Sequence, residues 1–206
     1  MPKKEAPLEY LRQFIPGVAA PLILEYLNHY QVHLTITRER KSVLGDYRHA
    51  LSDKNHRISV NGNLNPYSFL ITLIHELAHL VTFMEFGNRV QSHGKEWKKI
   101  YRKMLEEFIR LSVFPEDILS ALKQNLHDLP ASSCADEGLM RILKRYDKNP
   151  GNMVLVEQIP EGGCFSLEDK RVFRKGKKLR KRYQCVELAT GKLYLFSPIY
   201  EVKPAS

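Results

Sequence analysis

Apolar positions recur at helical spacing through most of the first 148 residues. Leu8, Leu11, Phe14 and Ile15 predict a short helix over 7–15, broken by Pro16-Gly17. Leu22, Ile23, Tyr26 and Leu27 predict a second over 18–30. The pattern then switches to alternation with β-branched residues, so 32–37, 43–49 and 57–60 read as strands, with Arg38-Glu39-Arg40-Lys41 as a charged turn or solvated strand end. Asn65-Pro66 is an N-cap followed by proline at the first helical position, which starts a long apolar helix over 66–86. Phe86-Gly87-Asn88 ends it, because Gly and Asn favour the left-handed cap. Trp97, Ile100, Tyr101, Met104, Leu105 and Phe108 share one stripe of a helix over 94–111. Shorter helices are expected over 115–126 and 136–146, with His127 and a loop at 130–133 between them.

The texture changes at Asn149-Pro150-Gly151-Asn152. Beyond it, short β-like runs (153–159, 163–167, 170–174, 179–188, 192–196 and 199–202) alternate with turns, Thr190-Gly191 among them. The expected class is therefore α+β. A helical domain with a small three-stranded sheet spans 1–148, and a small antiparallel sheet or barrel spans 149–206.

The long helix carries three polar residues in an apolar setting: His75-Glu76-Leu77-Ala78-His79. An unpaired ionised Glu there would cost several kcal/mol, so an ordinary core helix is a poor explanation. Residues four apart lie one above the other on a helix face. His75 and His79 can therefore offer two nitrogens to one ion, the His-Glu-x-x-His arrangement of zinc hydrolases. Zinc lowers the pKa of a bound water towards about 7. Glu76 lies about 100° round the helix from His75 and can take that water's proton without being a ligand. A third ligand is needed. His93, in Ser92-His93-Gly94-Lys95-Glu96-Trp97, is preferred because the chain can turn back after Gly87. Glu96 is the chief rival, with Glu85 and Glu106 further options. His29 and His33 have no partner at ligand spacing and read as structural. Trp97 reads as a core anchor that pins its helix, and so His93, against the metal helix.

His75-Glu76-Leu77-Ala78-His79 followed by His93-Gly94-x-x-Trp97, with Arg57-Ile58-Ser59-Val60 upstream, resembles the SprT-like (Spartan-type) zinc metallopeptidases over about residues 20–112. The resemblance implies a zincin-like core, one zinc held by His75, His79 and His93, Glu76 as catalytic base, and a protein substrate, perhaps one attached to DNA. It also assigns to 57–61 the role of a sheet edge that holds extended substrate, the alternative being an interior strand. Many such proteins carry a zinc ribbon at the C-terminal end. Here Cys134, Cys164 and Cys185 lie too far apart for one, so no second zinc is expected.

Composition adds two points. The odd, scattered cysteines and the lack of an N-terminal signal point to a reducing, cytoplasmic setting, and no stretch reads as a membrane span. Of the net charge of +9, residues 149–206 carry +5 (11 basic and 6 acidic side chains). The stretch 170–183 contains no acid. Its Arg174, Lys175, Lys177, Lys178, Arg180, Lys181 and Arg182, interleaved with Phe173 and Tyr183, suit phosphate contact with base stacking. The plainer reading is a solvated face that keeps a small sheet soluble. The expected function is a zinc endopeptidase acting on DNA-associated proteins. The alternatives are a nucleic-acid-binding protein with a structural or vestigial zinc, and a zinc peptidase unrelated to DNA.

Overall fold

A computed structural model describes residues 8–40, 43–50, 55–126, 136–148 and 151–205. His127, Cys134 and the loop at 130–133 lie outside the described residues, as do Lys41 and the Asn149-Pro150 step. The chain divides into two compact units, Met1–Asp147 and Lys148–Ser206. Both contain sheet and the first is mostly helical, so the class is α+β.

In the first unit the run before Pro16 is a 3-10 helix, Leu8–Gln13, too short to propagate as α-helix. Another 3-10 turn, Gly17–Ala19, leads into α1 (Ala20–His29). Three strands follow: β1 (His33–Thr37), β2 (Gly45–Arg48) and β3 (Arg57–Asn61). Their spatial order is β1-β3-β2, with β3 parallel to β1 and antiparallel to β2. This decides between the two readings of 57–61, a substrate-holding edge and an interior strand. Residues 57–61 are the central strand, with both edges paired, and cannot take up a substrate strand. The open edge on the β2 side belongs to β2. A local pattern cannot reveal this order, because it depends on which strands meet.

Arg40 is also not a solvated turn residue. Its guanidinium donates to Asn61 Oδ1 (2.8 Å) and Ser59 Oγ (3.0 Å), while Asn61 Nδ2 donates to the Arg40 and Val43 carbonyls. The segment between β1 and β2 is thereby tied to the end of β3.

α2 (Pro66–Phe86) begins after a four-residue connection from β3. Asn65 Oδ1 accepts from the Tyr67 and Ser68 amides, and Asn65 Nδ2 donates to the Leu143 carbonyl and Asp147 Oδ1. One side chain thus caps α2 and holds the far end of the unit to it. α2 packs on β2, β3 and α3 (Lys95–Arg110), and nearly all of it from Ser68 to Leu80 is buried. By length and composition Pro66–Arg89 could cross a membrane, contrary to the expectation that no stretch comes near a span; most of that stretch is buried inside this unit. α4 (Glu116–Asn125) and α5 (Glu137–Leu143) complete the core.

The second unit is one sheet among the described residues, ordered β4-β9-β5-β6-β7-β8, with every pairing antiparallel. The strands are β4 (Val154–Leu155), β5 (Cys164–Ser166), β6 (Val172–Leu179), β7 (Arg182–Glu187), β8 (Leu193–Phe196) and β9 (Glu201–Ala205). Phe165, Phe173, Cys185 and Phe196 form its core with Val156, Ile159 and Val202. Cys164 and Cys185 are free thiols, half-buried and buried respectively. The basic run is not a loop between strands at 174 and 179, as the pattern suggested. It is a hairpin, with a register shift between Lys175 and Lys178, whose last pair is Leu179 with Arg182 and whose turn is Arg180-Lys181.

Candidate metal centre

Helical spacing stacks His75 and His79 on one face of α2. Gly87, at φ 61°, ends the helix in the left-handed region where glycine is least strained. The chain then returns, and His93 lies just before α3. The three Nε2 atoms converge: His75 to His79 is 3.1 Å and His75 to His93 is 3.3 Å. Three nitrogens at 2.0–2.1 Å from a tetrahedral ion stand about 3.3–3.4 Å apart. Three clustered imidazole nitrogens cannot all be satisfied by one another, whereas one cation satisfies all three. The donor set therefore fits a zinc-type ion. Glu96, Glu85 and Glu106 are not part of this convergence.

Burial pushes the His75 pKa down to about 3, and its histidine neighbours add to the shift. Burial pushes His79 down to about 4 and also lowers His93. The rings are therefore neutral near pH 7, with lone pairs available to a metal. Trp97 is the wall behind them. It is fully buried and lies against all three rings, stacked on His79 at 5.2 Å and edge-on to His75 and His93 at 4.7 and 4.8 Å. Trp97→Ala should lower stability by about 3–5 kcal/mol. It should also weaken zinc binding, because the rings lose their backing; denaturant melts and a zinc titration check both.

Glu76 is 7% exposed. Burial, and secondarily Asp46, raise its carboxyl pKa to about 8, against the opposing pull of Arg40 and a hydrogen bond from the Tyr47 backbone N–H. A carboxylate with proton affinity near neutrality suits a general base. Tyr101, one turn beyond Trp97 and stacked on it at 4.8 Å, is also in this cluster. Burial and the Glu76 charge push its phenol pKa upward. In the sequence Tyr101 stands only on an apolar stripe, and Arg40, Asp46 and the β2 main chain carry no local signal for the site. The Trp97–Tyr101 spacing was the available signal for the first. The others come from strand order.

Over residues 23–117 the chain matches the family model described as the SprT-like family. The match supports a SprT-like assignment for that stretch. Protein SprT of Pseudomonas putida is 51% identical over 35 residues, 17% of this chain and 21% of that protein. Protein SprT of Pseudomonas entomophila and of Pseudomonas fluorescens are each 49% identical over the same shares. The chain thus aligns with about a fifth of the length of these SprT relatives. No solved structure matches. The three converging histidines fall within the matched stretch, and the basic hairpin falls outside it.

The hairpin divides the seven basic residues unevenly. Arg174, Lys177, Lys178, Arg180, Lys181 and Arg182 are exposed. Lys175 is 5% exposed, which removes it from the expected phosphate contacts. Its Nζ donates to the Glu157 carbonyl (3.1 Å) and to the Ile159 carbonyl, and lies 4.1 Å from the Tyr183 ring centre. Phe173 is fully buried and cannot stack on a base; Tyr183 is half-buried between Lys175 and Lys178. Lys175→Met should therefore destabilise the sheet, leaving two carbonyls without their donor, yet keep any DNA affinity and its salt slope. Alanine at Arg180, Lys181 and Arg182 together should flatten that slope by about 2–3, one per lost phosphate contact. Binding measured across a salt series separates the two outcomes.

Proposed function

We propose that the chain is a zinc-dependent endopeptidase with a zincin-like core that cleaves proteins associated with DNA in the cytoplasm. The observation that carries this reading is the convergence of three neutral imidazoles with a buried carboxylate one residue from the first. A zinc ion held by His75, His79 and His93 would polarise the scissile carbonyl and acidify a water. Glu76 takes the proton and later delivers it to the leaving amine. The open edge of β2 offers main-chain groups to an extended substrate segment, beside Glu76. The exposed hairpin cations would hold DNA by its backbone, raising the local concentration of whatever protein is attached. A shallow pocket of about 340 Å³, lined by Leu179, Arg180, Lys181, Arg182 and Leu195, lies at the hairpin tip and is open to such a ligand.

The test is zinc-loaded protein incubated with a DNA-bound protein, with and without the DNA. Cleavage that depends on zinc and is stimulated by DNA is expected. Cleavage of free and bound protein at equal rates would leave a zinc peptidase unrelated to DNA. Salt-sensitive DNA binding with no cleavage would leave a nucleic-acid-binding protein with a structural zinc.

A further inference from the structure

We propose that Gly45 and the Tyr47 main chain form the seat that holds the Glu76 carboxylate, which makes Gly45 a positioning residue for the reaction proposed above. The inference rests on that reading. Gly45 opens β2, and its φ is not in the left-handed region, so backbone freedom does not explain a glycine there. Space does. A Cβ at Gly45 would stand 2.7 Å from Thr72 Cγ2, 2.8 Å from Glu76 Oε1 and 2.9 Å from Glu76 Cγ. Thr72 is buried one turn before Glu76 and has little room to move. The Glu76 side chain has more torsions, so it is the group that would give way. Glycine in a strand marks such close approaches.

The second half of the seat is two residues on. The Asn61 amide donates to the Leu44 carbonyl at 2.9 Å, which sets the phase of the β2–β3 ladder with Leu44–Asn61 at a hydrogen-bonded position. By alternation Asp46–Ser59 and Arg48–Arg57 are bonded pairs too. The main-chain groups of Gly45 and Tyr47 then point away from β3, towards the open edge. The Tyr47 N–H is the one that donates to Glu76. One stretch of edge strand therefore admits the carboxylate at residue 45 and fixes it at residue 47.

The test uses the full chain, Gly45→Ala, and casein as probe substrate. Zinc content and KM should match the natural chain while kcat falls about 10–100-fold, the scale of an ångström-size misplacement. Adding Thr72→Ser, which removes the Cγ2 the new methyl would meet, should restore part of kcat. A readout free of metal and activity is amide hydrogen exchange on the metal-free protein. The Tyr47 amide should exchange at least about tenfold faster in Gly45→Ala and in Glu76→Ala, while the Asp46 and Arg48 amides, bonded to β3, keep their protection. Unchanged kcat, or Asp46 and Arg48 losing protection together with Tyr47, would overturn the proposal, since the second outcome means only that β2 has loosened. If the natural chain leaves casein intact, the peptidase reading fails, and the exchange comparison still decides whether the seat exists.

Discussion

Replacing Glu76 by glutamine is expected to leave one zinc per chain and reduce peptide cleavage by about 10²–10⁴-fold, the range for removal of a general base. The geometry dictates this. The amide has nearly the same shape, none of the three converging nitrogens belongs to residue 76, and only the proton acceptor is gone. A second signature needs no substrate. In the metal-free protein Glu76 has its pKa raised from 4.5 to about 8, mainly by burial. Below pH 4.5 both folded and unfolded chains hold the proton, and there is no penalty. Between about 4.5 and 8 the unfolded chain releases it and the folded one retains it, so stability falls as pH rises, and the loss is complete above about 8. Glutamine does not titrate. The melting temperature of metal-free Glu76→Gln should therefore rise relative to the natural chain between pH 5 and pH 8. Full cleavage by a clean Glu76→Gln preparation would remove the base from the mechanism.

The second large effect concerns His93. His93→Ala should weaken zinc binding by more than about 100-fold, beyond the 10–100-fold typical of losing a partner outside the ligand set, and abolish cleavage. Glu96→Gln should change neither. Zinc held only by the folded chain should stabilise the natural protein, by about 4 kcal/mol at a thousand times Kd, and His93→Ala should lose most of that gain. Competition with a chromophoric chelator gives the affinity, and thermal melts with and without zinc give the linked stability. Equal zinc affinity in the two proteins would return the third position to a carboxylate.

What could be read in advance, and what could not, follows from the range of the interactions. α2 and α3 were legible because their apolar stripes and caps are local: Asn65-Pro66 and Gly87 mark the ends of α2 wherever it packs. The pairing of His75 with His79 is likewise a property of one helix. The convergence of His93 could only be argued, because the turn after Gly87 sets its direction. Strand order was hidden. β3 follows β2 in sequence yet lies between β1 and β2, so of the two readings of 57–61, substrate edge or interior strand, the interior one holds. Lys175 is buried although a charged side chain ordinarily marks an exposed position. Counting by twos from buried Phe173 puts Lys175 on the inner face, where two carbonyls and an aromatic ring receive it.

Only four residues separate Asn61 from the proline that opens α2, so the central strand acts as a ruler for everything downstream. A slip of one residue against either neighbour would carry Ile58 and Val60 out to solvent and turn Arg57 and Ser59 into the core. Pairing on both sides makes such a slip expensive twice over. The starting point of the helix that bears His75 and His79 is therefore set by a ladder that contains neither.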